Sequence, residues 1–211
     1  MNLDFSEFPE IQEANWLIPA PCYNLKALPE IYARFCSAIY MTTHIGGASD
    51  KYMITDSEKS AVYFRAALHE FSSIEDIIKI NFSDIDKKKY RICKSSNPLF
   101  HIMKLLRNYN VHVSMNKVAA KNMQVISLHD TDEIFDITVK YINNLSLSEL
   151  EKTRDSKRYS KSDLEKMINY FNNQQHELGV CELIKQGILL YSKQINYLLS
   201  NGEFDFNSRC L

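Results

Sequence analysis

The chain has 211 residues and a formal net charge of −1, with 45% hydrophobic and 24% charged residues. That length buries a sizeable core, roughly 70% of the unfolded surface, and favours one domain. A near-neutral balance, with a pI of about 6.6, excludes a general polybasic nucleic-acid binder, so any contact with nucleic acid must be local.

Five Gly and five Pro are too few for an all-β fold with many tight turns. The five cysteines (Cys22, Cys36, Cys93, Cys181 and Cys210) are odd in number, widely spaced and include no C-x-x-C pair. They read as free thiols in a reducing compartment, so a cytoplasmic location is expected. The acidic N-terminal stretch does not resemble a signal peptide, and no apolar run approaches the roughly 20 residues of a membrane span. Cys210 stands one residue from the end, where it makes no prenylation motif. Neither a membrane nor a cofactor is expected.

Taken in order, Pro29 opens a predicted helix to about Thr43, with Ile31, Phe35, Ala38 and Ile39 on one face and Gly46-Gly47 ending it. Asp56 or Ser57 caps a second helix in which Phe64, Leu68, Phe71, Ile74 and Ile78 recur through Ile80. Asn97-Pro98 starts a third, with Leu99, Ile102, Met103 and Leu106 as its buried stripe; Asn108-Tyr109-Asn110 favours termination just after Arg107. Val111, Val113 and Met115 alternate, and with Met123–Ile126 they predict a small hairpin around Asn116–Asn122. Asp130-x-x-Glu133 resembles a capping box opening a helix that carries Ile134, Ile137, Val139, Tyr141 and Ile142. Residues 146–160 read as a polar connector. Ser162-x-x-Glu165 starts another helix through Phe171, and after Asn172–Gln175 a last helix shows the cleanest stripe: Cys181, Ile184, Ile188, Tyr191, Ile195 and Leu198. The expectation is an all-α bundle with a small hairpin, a single domain over residues 1–211 with its core in 29–128 and in the helices of 130–200.

Residues Lys87 to His129 contain no Asp or Glu across 43 positions and carry nine cations, whereas the segments before and after are acidic. Within that run lies Arg107-Asn108-Tyr109-Asn110-Val111-His112. A permanently charged guanidinium holds a phosphate through two parallel hydrogen bonds, and an imidazole exchanges protons near pH 7. Asn108 offers a neutral amide that orients either partner. Residues five apart on an unbroken helix are separated by about 140°. The helix is therefore expected to break near Asn108–Asn110, or else the two residues face different sites across an interface.

The string R-N-x-x-x-H at the end of an apolar helix, in a chain that reads as helical, resembles the signature R-x(4–6)-H of the HEPN superfamily. Arg107, Asn108 and His112 match its arginine, its following polar residue and its histidine. The resemblance implies a core of about four helices that dimerises and a metal-independent ribonuclease site, in proteins of toxin–antitoxin, abortive-infection and CRISPR-associated systems, some of them inert. It makes RNA the expected substrate, Arg107, Asn108 and His112 the expected catalytic residues, and an antitoxin or other protein an expected partner. One chain holds one motif, so a homodimer is the expected way to supply two histidines. Lys87, Lys88, Lys89, Arg91 and Lys104 are expected to bind RNA, the first four as an entry path.

The rival expectation is a non-catalytic helical module that binds nucleic acid, a nucleotide or a partner protein, with Arg107 and His112 holding the helix end. A catalytic pair should be open to solvent in a basic cleft near its symmetry mate; a structural pair should be buried and fully hydrogen-bonded. Other candidates weigh less. His101 reads as a helix-surface residue, while His69 and Glu70, with Arg65, read as surface contacts before second partners of the motif. Tyr90, Phe100 and Tyr109 read as core before base-stacking platforms. The six histidines show no metal-ligand spacing, and no phosphate-binding loop or hydrolase elbow occurs.

Overall fold

A computed structural model describes residues 3–9, 18–46, 54–113, 117–126 and 134–204. Helix α1 spans Pro29–Thr43, α2 Asp56–Asn81, and the single-turn α3 Lys87–Tyr90; α4 spans Pro98–His112. Strands β1 (Val118–Ile126) and β2 (Ile134–Ile142) follow, then the single-turn α5 (Leu147–Leu150) and α6 (Lys161–Ser200).

Local chemistry sets these boundaries. Proline at the first position of α1 and α4 lacks an N–H where none would be bonded. The Asn97 side chain accepts from the Leu99 N–H at 2.9 Å. The cap of α2 is Thr55, one residue earlier than the sequence suggests: its hydroxyl accepts from the Glu58 N–H while the Glu58 carboxylate accepts from the Thr55 N–H. Each such cap is worth about 1 kcal/mol.

The four long helices pack as antiparallel neighbours. Gly46 N–H donates to Ser60 Oγ at one end of the α1–α2 pair, and Arg34 bonds both oxygens of Glu70 near its middle. Cys181 Sγ–H donates to the Thr42 carbonyl while Phe35 meets Tyr191, which sets α1 against the second half of α6 in the opposite sense. Against α4, Tyr191 meets Phe100 and Gly187 lies beside Met103, so α4 also opposes α6. At the centre Tyr191 stands 5.4 Å from both Phe71 and Phe100, fully buried, and its hydroxyl donates to the Tyr90 carbonyl at 2.7 Å. Such ring pairs each add roughly 0.5–1.5 kcal/mol beyond the area they bury. A Cβ on Gly187 would fall 2.3 Å from Met103 Sδ, so the absence of a side chain there is what lets α4 and α6 approach. Most of the buried apolar residues, from Leu25 to Phe204, form one hydrophobic cluster.

Two elements differ from the sequence reading. The hairpin is present but displaced: β1 covers 118–126, and its partner β2 is the stretch read as a helix, in antiparallel register from Val118↔Ile142 to Ile126↔Ile134. Val111 and His112, expected to be extended, finish α4 instead, and Val113 is its C-terminal cap. Five of the nine β2 residues are β-branched (Ile134, Ile137, Thr138, Val139 and Ile142), which suits a pleated surface better than a helix. The capping-box residues Asp130 and Glu133 lie outside the described residues, as does Asn116.

The second difference is α6. It opens at Lys161, capped by Ser160, whose hydroxyl accepts from the Asp163 N–H. It runs through Asn172–Gln175 without a break and kinks at Gly179. Gln175 is fully buried: its carbonyl oxygen accepts from the Ile142 N–H and its amide donates to the Ile142 carbonyl, so a residue that reads as loop clamps the helix to β2. Gly179 has φ +83° and ψ 155°, a conformation open to glycine, and a Cβ there would lie 3.1 Å from Val139.

Candidate functional site

A cleft of about 800 Å³ opens between the outward faces of α2 and α4 and the connector at 152–158. From α2 it takes His69, Ser72, Ser73 and Asp76, spaced three and four residues apart along one helix face. From α4 it takes Lys104, Asn108 and His112, each four residues after the last, with Arg107 beside them. The α4 helix does not break at Asn108–Asn110; it continues to His112. Arg107 and His112 nonetheless line the same cleft, because it is wide and Asn108 sits between them.

Asn108 is held from both sides. Its amide nitrogen donates to Asp155 Oδ2 at 2.6 Å, and its carbonyl oxygen accepts from an Arg107 terminal nitrogen at 3.0 Å. A carboxylate only accepts, so Asp155 fixes which way the amide points, and the amide in turn aims the guanidinium. Asp155 is itself 3.3 Å from Arg158, and Thr153 caps its turn by accepting from the Ser156 N–H. Arg107 is half-buried with its Nε unpartnered, and Ser72, 6% exposed, also has a buried unpartnered hydroxyl. Donors without acceptors at the cleft wall are expensive unless a ligand or solvent oxygen reaches the neighbouring atoms. His112 is the last residue of α4 and exposed.

The lining holds five cations (Lys104, Arg107, Lys152, Arg154 and Arg158) against three carboxylates (Glu75, Asp76 and Asp155), before any histidine is protonated. Two of those carboxylates are engaged. Glu75 is buried, pairs with Lys104 and accepts from the Ile92 N–H at 3.0 Å, so its charge is neutralised within the wall. Asp155 is shared between Asn108 and Arg158. Lys152 is paired in turn with Glu149 beside the cleft, so the fixed charges left to a ligand are Arg107 and Arg154 against Asp76, a formal excess of positive charge. Among the described residues no three His, Cys, Asp or Glu side chains are grouped to hold a metal ion.

The remaining sequence candidates scatter. Lys87, Lys88 and Lys89 are exposed on α3, where Lys89 pairs with Glu203 and Lys88 borders a separate hollow with Lys94 and Gln194. Neither they nor Arg91 line the α2–α4 cleft; of the expected RNA-binding set only Lys104 does, and its ammonium is committed to Glu75. Glu70 turns to Arg34 on α1. Tyr90, Phe100 and Tyr109 are at most 2% exposed and belong to the interior.

His101, expected on the helix surface, is completely buried. The Ser95 carbonyl can only accept, which puts the ring proton on Nε2 at 2.9 Å, and Nδ1 accepts from the Tyr159 hydroxyl at 2.7 Å. Burial pushes the imidazole below its ordinary pKa and pushes the Tyr159 phenol well up, so both stay neutral. Sequence reasoning also missed Ser72, Lys152, Arg154, Asp155 and Arg158. Four cations in seven residues, Lys152 to Arg158, were a visible signal, but they read as a solvated connector.

Compared with protein-family models, curated proteins and solved structures, the chain matches none.

Proposed function

We propose that the α2–α4 cleft cleaves RNA without a metal ion, by attack of a ribose 2′-hydroxyl on the adjacent phosphorus. The observation that carries this reading is the meeting, in one open cleft, of a half-buried arginine aimed by Asn108 and an exposed histidine at the end of the same helix. A pair serving only the fold would be closed over and fully bonded, and this one is not. In the reaction a histidine takes the 2′-hydroxyl proton as the 2′-oxygen bonds to phosphorus, and a protonated histidine gives its proton to the departing 5′-oxygen. Arg107 neutralises the charge that builds on the phosphoryl oxygens. The products are a 2′,3′-cyclic phosphate and a 5′-hydroxyl. The resemblance of R-N-x-x-x-H to the HEPN signature supports the same chemistry, and a setting in toxin–antitoxin or phage-defence systems rests on that resemblance alone.

The test is cleavage of a mixed RNA pool in EDTA by the wild type, Arg107→Ala and His112→Ala, with thermal melting alongside. Each variant should lose roughly 10²–10³-fold in rate and melt close to the wild type. Full activity in either one contradicts the assignment, as does wild-type activity that disappears when metal is removed.

A further inference from the structure

We infer that His69, on α2, is the second proton-transfer group of this cleft, so that a single chain carries both the acid and the base. The inference rests on the cleavage reading above and removes one of its expected requirements. The sequence makes a second copy of the chain the simplest source of the second histidine; the cleft holds one from 43 positions upstream in the same chain.

Three observations point to His69. It sits on the α2 face formed by His69, Ser72, Ser73 and Asp76, and α2 packs on α4 through Phe71–Phe100 and Glu75–Lys104, so the wall carrying His69 borders the same space as the wall carrying Arg107 and His112. It is exposed, and no hydrogen bond or ion pair among the described residues holds its ring. The other described histidines are occupied elsewhere: His44 stacks on Tyr63, His101 is sealed inside, and His176 packs on Tyr141. Of the five histidines described, two line the cleft.

The charges around the pair suit two neutral-to-cationic partners sharing an anion. From α2, Glu75 is neutralised by Lys104, which leaves Asp76 as the exposed carboxylate on that wall. From α4 the fixed charge is Arg107. From the connector, Arg154 faces the cleft, Lys152 is paired with Glu149, and Asp155 is taken up by Asn108 and Arg158. A phosphodiester is the ligand that brings negative charge to such a site, and its two reacting oxygens, on opposite sides of phosphorus, need proton exchange from two directions. Histidines on two different walls provide two directions; one histidine does not.

The experiment is single-turnover cleavage of a fluorescein-labelled mixed-sequence RNA in EDTA from pH 5 to 9, for the wild type and for His69→Gln, with RNA affinity and melting temperature measured on both. The wild type should give a bell-shaped rate profile, and His69→Gln should lose about 100-fold or more in rate together with one limb of the bell. Its affinity should stay within about threefold. A His69→Gln rate close to wild type with both limbs intact overturns the proposal while cleavage by Arg107 and His112 stands. A uniform loss that keeps both limbs also overturns it, because His69 would then only support the fold. A wild type that cleaves no RNA removes the cleavage reading itself, and this inference with it.

Discussion

His101 and His112 stand on the same helix about three turns apart, within roughly 20° of the same direction, and the fold treats them in opposite ways. Over His101 the chain folds the Ser95 carbonyl and the Tyr159 hydroxyl, leaving both ring nitrogens bonded and the residue fully buried. At His112 the helix ends, the residue is exposed and lines the cleft, and no hydrogen bond among the described residues holds its ring. Intrinsic side-chain chemistry is therefore no guide to role. A polar group whose partners come from its own chain contributes to stability, whereas one whose partners are missing is available to something else. Arg107 lies between the two states, with one terminal nitrogen tied to Asn108 and its Nε unpartnered.

The largest expected effect separates these ends by stability. His101→Ala removes a buried ring and orphans two hydrogen-bonding groups, a loss of about 2–4 kcal/mol. His112→Ala, at an exposed position, should stay within about 0.5 kcal/mol. Denaturant titration of both variants measures this directly, and equal losses would dissolve the distinction.

A smaller effect distinguishes the two basic regions. Lys152 and Arg154 share the cleft with Arg107, while Lys87, Lys88, Lys89 and Arg91 do not. Lys152 is already paired with Glu149, so changing Lys152 and Arg154 to Ser should lower the salt slope of RNA binding by about one. Changing the four residues of the α3 stretch to Ser should leave slope and affinity almost as they were. The reverse result would return the α3 stretch to its expected role as the RNA path.

The smallest effect is a pH dependence of folding. Burial holds the His101 pKa below its unfolded value of 6.5. Above that pH the ring is neutral in both states and contributes no slope. Below it the unfolded chain takes up a proton that the folded chain refuses, so stability falls as the solution is acidified from about pH 6.5. His101→Gln should flatten the fall between pH 6.5 and 5, where most carboxylates have yet to titrate. An unchanged slope would mean that the ring protonates in place.

The parts of this protein legible in its sequence are those set by neighbours in the chain. Pro29 and Asn97-Pro98 announce their helices because capping is local, and the α4 and α6 stripes repeat at helical spacing. The stretch 134–142 reads as a helix because Ile134, Ile137, Tyr141 and Ile142 satisfy a helical pattern as well as a strand; pairing with β1 decides it, and that partner ends eight residues earlier. Gln175 looked like a loop residue because its ligand, the Ile142 backbone, lies 33 positions away. The cleft was half visible. Arg107, Asn108 and His112 stand together in the chain, but the carboxylate that orients Asn108 is 47 residues downstream and His69 is on another helix. Charge density along the chain pointed to α3, and the fold assembled its positive cleft elsewhere.

The central claim, that the open end of α4 belongs to a phosphodiester-cleaving site, is tested most directly by the chemistry of the products. Mass spectrometry of a defined RNA incubated with the wild-type protein in EDTA should show fragments ending in 2′,3′-cyclic phosphate, paired with fragments beginning in a 5′-hydroxyl. The same RNA carrying a 2′-deoxy sugar at the cut position should remain intact there. Fragments with 5′-phosphates, or cleavage of the deoxy-substituted site, would contradict attack by the 2′-hydroxyl, and an RNA left whole would contradict the claim altogether.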